Sequence, residues 1–128
     1  MDGDKGAKEG GGAMNVNEVI VAALSEFGDP VVEGEYISQP NAPDPERYYS
    51  FVTSSMGADY ADDEPSHEVA LVWVHFHCPR AYDSCDRVAA TKRALFVADM
   101  SWPEVVNASD ADGQHIVFEC KYLKGVYD

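Results

Sequence analysis

Positive charge is scarce in this sequence: 9 Lys and Arg stand against 23 Asp and Glu, for a formal net charge of -14. A surface of that sign repels phosphate backbones and anionic headgroups, so neither specific nucleic-acid binding nor membrane binding is expected. Cysteine is sparse, and its count of three (Cys78, Cys85, Cys120) is odd. The N-terminus is glycine-rich and charged, without the apolar segment of a secretory leader, so reduced thiols in a cytosolic setting are expected rather than a disulfide framework. Apolar runs long enough to span a bilayer are missing as well. No phosphate-cradling glycine loop, Ser-His-Asp signature or dinucleotide fingerprint occurs. Tyr48, Tyr49, Trp73 and Trp102 lack the interleaved basic residues of a nucleic-acid platform.

What is present is a globular composition, 45% hydrophobic over 128 residues, enough for one domain around one core. Residues 1–13, MDGDKGAKEGGGA, hold no large apolar residue after Met1 and read as a disordered tail. Residues 14–128 then form a single domain. Val16, Val19, Ile20, Ala23, Leu24 and Phe27 line one face of a first helix, capped by Asn15 and stopped at Gly28. VVEGEYI (31–37) reads as a short or bulged edge strand, and the proline-rich stretch 38–46 as an exposed loop. RYYSFVTSS (47–55) is a strand, and MGADYADDEPS (56–66) a long acidic loop.

EVALVWVHFHC (68–78) is the strongest strand, apolar on both faces up to Val74 and expected to be central with both sides covered. A second helix spans 81–100, with Asp83 or Ser84 as cap and Val88, Ala89, Leu95, Phe96 and Ala98 on its buried side. WPEVV (102–106), a turn at 107–113 and QHIVFECKYL (114–123) complete the chain. The last strand turns Ile116, Phe118, Cys120 and Tyr122 to one side. This order predicts an α+β fold, a mostly antiparallel sheet with two helices packed on it.

His75 and His77 point to the same side of their strand at a spacing that suits one zinc ion. Cys78 points the other way, so a third ligand has to come from elsewhere: His67, His115, Asp62 or Asp63. An H-x-H pair without a second motif is weak evidence, and the simpler reading is a strand end that carries imidazoles. Cys85 in the first turn of the second helix lacks any nucleophile motif. Ala108 to Gly113 with Glu119 approximates a calcium loop, but its strand-like flanks favour a hairpin turn.

Four stretches carry a resemblance: YYSFVTSS (48–55), ADYADDEPSHEVALVWVHFHCP (58–79), TKRALFVADMSWP (91–103) and NASDADGQHIVFEC (107–120). Together they resemble small tail proteins of tailed bacteriophages and prophages, in particular the tail-terminator (tail completion) family. The resemblance implies two helices on an antiparallel sheet and a structural role in the virion tail, assembled in the bacterial host cytoplasm. It also implies a ring, hexameric in the assembled tail, that meets the tail tube protein and the head–tail connector. No reaction, metal or cofactor is expected on that reading. The long loops supply the candidate subunit or tube contacts: Asn41 and Asp44 in one, Asp59, Asp62, Asp63 and Glu64 in the other. Two alternatives stand beside it, a small metal-dependent enzyme using His75 and His77, and an acidic adaptor that binds a basic partner through 58–68.

Overall fold

The computed structural model describes residues 15–61 and 64–122, with side chains described outside 55–68. The expected tail, together with Met14, Asp62, Asp63 and Leu123, lies outside the described residues. The order is α1 (Val16–Leu24), a 3-10 turn (Ser25–Phe27), β1 (Val31–Glu33), β2 (Tyr48–Ala61), β3 (Glu64–Cys78), α2 (Cys85–Val97), β4 (Glu104–Asn107) and β5 (Gln114–Tyr122). The fold is α+β, a mostly antiparallel five-stranded sheet of order β1-β2-β3-β5-β4 with two helices packed on it. Among the described strands only β1 runs parallel to its neighbour, β2.

Local chemistry accounts for the helix ends. The Asn15 side chain accepts from the Glu18 amide at 2.9 Å while the Glu18 carboxylate accepts from the Asn15 amide at 3.0 Å, a reciprocal cap. Gly28 ends the following turn at φ 80°, a left-handed conformation that glycine adopts without a side-chain clash. At α2 the Ser84 hydroxyl does not cap; it donates instead to Gln114 at 2.8 Å.

The core lies between the helices and one face of the sheet. Tyr49 and Phe51 of β2, Val72, Val74 and Phe76 of β3, and Phe118 of β5 are buried against Ile20, Leu24 and Leu95. Each such side chain contributes roughly 1.5–3 kcal/mol on burial, so this face determines which side the helices cover. The buried stripe of α2 is Val88, Thr91 and Leu95, whereas Ala89 and Phe96 of the expected stripe are exposed. Thr91 is tolerated there because its hydroxyl meets both the Tyr49 hydroxyl at 2.8 Å and the Arg87 carbonyl at 2.7 Å.

Two further expectations are overturned. The acidic stretch 56–66 is not a loop: β2 continues to Ala61 and β3 begins at Glu64, so it forms the outer part of one long hairpin. The acidic composition suggested solvated loop, but the paired ladder absorbs its backbone groups. β3 is central as expected, yet only one of its faces is covered. Leu71, Trp73, His75 and His77 are half-buried on the other, where no helix packs among the described residues. No described helix is long and apolar enough to cross a membrane.

Candidate functional site

The uncovered face of the sheet carries the histidines. His75 and His77 sit two residues apart on β3 and so share a side. In the β3–β5 ladder His77 pairs with His115, and His75 pairs with Val117 two residues further on. Antiparallel register therefore places all three imidazoles on one patch. The ligand nitrogens of His75, His77 and His115 lie within 4.8 Å of one another. Nδ1 of His75 and Nε2 of His115 form a hydrogen bond of 2.7 Å, one ring donating and the other accepting.

The patch extends into a row of rings. Tyr36 packs on Tyr48 at 4.9 Å, Tyr48 stacks on His77 at 4.5 Å, and His77 stacks on His115 at 4.4 Å. Burial holds the His75 imidazole below its usual pKa, with His115 adding to the effect. Burial, then the neighbouring His115 and His75, lowers His77 to about 4. At neutral pH both rings are therefore uncharged and keep a lone pair. Beside them lies a cleft of ≈ 490 Å³ with Glu46, Asp110 and Asp112 on its walls together with His77 and His115.

The floor of this region is stapled by Gln114. Its side-chain amide donates toward the carbonyls of Pro79, Arg80 and Tyr82 at 3.0, 3.1 and 2.6 Å, and its oxygen accepts from Ser84. Next to it, a Cβ on Gly113 would stand 3.0 Å from the Cys78 carbonyl, so the close approach of the turn to β3 favours glycine. Asp110 closes the hairpin turn, its amide bonded to the Gly113 carbonyl at 3.0 Å and its carboxylate to the Asp112 amide at 2.9 Å. Glu119 stands opposite Glu104 further along β5, which fits the hairpin reading of this segment and not a calcium loop.

Of the sequence candidates, His115 joins the H-x-H pair and Cys78 is buried in the core on the far face. His67 is on β3 eight residues before His75, about 26 Å along the strand. Cys85 is exposed. Asn41 and Asp44 are exposed in the connection to β2, and Asp59 and Glu64 lie on the hairpin strands.

Sequence reasoning missed a second cluster. Asp29 accepts from Arg87 at 2.7 Å and from Arg47 at 3.4 Å, and the Arg87 guanidinium lies over the rings of Phe27 and Phe76. It ties the turn after α1 to α2 across the core edge. Residues 18 and 58 positions apart give no local pattern by which to find it. No protein-family model matches the chain, and no curated protein matches it.

Proposed function

We propose that the protein is a structural component of a bacteriophage or prophage tail, a tail-terminator or head–tail joining subunit that assembles into a ring on the tail tube. The observation that carries this is the β2–β3 hairpin. Its 14- and 15-residue strands are flanked by β1 only at residues 49–51 and by β5 only at 70–78. Beyond these positions the ribbon has two strands and no third among the described residues. A two-stranded ribbon is marginal in water by itself and gains stability by lying against another surface. A neighbouring copy supplies that surface in a ring.

The two sheet edges support a head-to-tail arrangement, in which different patches of successive copies meet and the rotation closes. Near β4, Phe96, Val97 and Trp102 are 48%, 70% and 51% exposed, with Trp102 packed edge-on to Phe96. On the β1 side, Ile37 is 72% exposed and Val21 41%. The sequence resemblance gives the virion context, with a hexamer, the tail tube protein and the head connector as partners. The acidic surface suits it too, since a negative lumen lets DNA pass without adhering. On this reading the candidate polar contacts stay those of the sequence, Asn41 and Asp44 before β2 and Asp59, Asp62, Asp63 and Glu64 in the acidic stretch.

Electron microscopy of the concentrated protein, alone and mixed with tail tubes from a phage that encodes it, tests this reading. Annular particles, or tubes capped at one end, are expected. Uncapped tubes among unassembled chains count against it. The metal-dependent enzyme remains a second reading because His75, His77 and His115 cluster, and two of them, His77 and His115, line a cleft shared with Glu46, Asp110 and Asp112. Multiple turnover of a hydrolysable ester that disappears on chelation is the result that would favour it.

A further inference from the structure

We propose that His75, His77 and His115 form a zinc site on the open face of the sheet, with three protein nitrogens and a fourth position left to solvent. Nothing in the tail reading requires this site, and its test is separate. Three imidazoles are a borderline-soft nitrogen set, which favours Zn²⁺ and similar d-block dications over the oxygen-seeking Mg²⁺ and Ca²⁺. The ligands come from two strands with a neighbour on each side: β3 pairs with β2 and β5, and β5 with β3 and β4. Such a frame fixes the Cα positions, so only ring rotations remain to be adjusted.

The geometry is close to what zinc needs. Zn–N bonds of about 2.0–2.1 Å in a tetrahedral site separate the nitrogens by about 3.4 Å. The three nitrogens here lie within 4.8 Å of one another, so the widest pair closes by at most about 1.4 Å. The 2.7 Å contact between His75 and His115 opens by a smaller amount, exchanging a shared proton for a shared metal. A shift of tautomer frees the lone pair on whichever ring donated.

Two surrounding features suit a cation. The acidic residues Glu46, Asp110 and Asp112 line the same cleft as His77 and His115. The net charge of -14 raises the local concentration of dications around the whole chain. Tyr48, stacked on His77, holds that ring at a fixed tilt and limits the rotamers it can lose on binding.

The test is calorimetric titration of ZnCl₂ into full-length protein freed of metal by chelator, at a concentration low enough to keep the chain unassembled. One equivalent is expected, with no comparable heat from MgCl₂ or CaCl₂. His75→Gln, His77→Gln and His115→Gln are each expected to weaken binding at least about 10-fold, since loss of even an outer partner of a metal ligand costs that much. His67→Gln is the control and leaves binding unchanged. Should a triad variant fail to fold, the wild-type imidazole ¹⁵N resonances decide instead, and zinc is expected to move three of the four histidines. Absence of saturable binding, or binding that survives in all three triad variants, overturns the proposal and leaves a hydrogen-bonded aromatic row only. Ring assembly is read by a different measurement, so either proposal fails independently of the other.

Discussion

His77 and His115 stand directly opposite each other in the β3–β5 ladder, with their rings stacked at 4.4 Å and 22°. Neither strand alone contains the site. One residue of slip in the register would send His115 to the core face and bring Ile116 out. The hydrophobic alternation of β5, which buries Ile116, Phe118, Cys120 and Tyr122, thus also sets the position of the histidine.

That burial makes stability pH-dependent in a defined direction. His77 has a folded-state pKa of about 4, below the ordinary histidine value of 6.5. Its neutral form is preferred in the fold, so its contribution is complete above about pH 6.5 and is lost as pH falls toward 4. His75, shifted the same way, adds to this. Carboxylates titrate in the lower part of the window, so the comparison is with His77→Gln. In urea unfolding with chelator present, the wild type is expected to lose more stability than the variant between pH 7 and pH 5. Equal losses would show that His77 is solvated in the fold.

Arg87→Met tests the hidden ion pair. Asp29 and Arg87 side chains are each only 13% exposed. Removing the arginine leaves the carboxylate with Arg47 at 3.4 Å and takes the guanidinium from two aromatic faces. A loss of about 3 kcal/mol is expected, typical of breaking one partner out of a buried pair. Equilibrium denaturation reads it, and a change under about 0.5 kcal/mol, the range of ordinary surface substitutions, would mean water already solvates Asp29.

Gln114→Ala is expected to cost about 1–3 kcal/mol, because it leaves the carbonyls of Pro79, Arg80 and Tyr82 without their side-chain donor. Amide hydrogen exchange then rises in the connection between β3 and α2 and at the start of α2, while β2 stays protected. Uniform loss of protection across the sheet would assign Gln114 a global role instead.

Val97→Glu and Ile37→Glu separate assembly from folding. Both side chains are more than two-thirds exposed, so each variant is expected to keep its thermal midpoint to within the equivalent of about 0.5 kcal/mol. Sedimentation at high concentration is expected to show weaker self-association for each. Unchanged association in both variants would remove the sheet edges from the ring contacts.

Much of this fold was legible in residue patterns. The Asn15 cap, Gly28 stop and period of α1 are local signals, and each is present in the structure. The alternation of 68–78 identified the central strand, and H-x-H placed two imidazoles on one side of it. What was not legible depended on pairing. Residues 56–66 looked like loop because composition registers acid and glycine, whereas ladder formation depends on the partner strand. Phe96 looked buried from its chemistry, yet the phase of α2 is set by Thr91, a polar residue made tolerable by Tyr49. His115 was one of four possible third ligands until the β3–β5 register placed it opposite His77.

Self-assembly is the point on which the tail reading stands, and native mass spectrometry over a concentration series reaching several hundred micromolar tests it most directly. A ladder of oligomers that ends at one closed ring, with six copies the expected end point, is the result foreseen. A chain that stays monomeric at every concentration, including with its tail tube present, contradicts it.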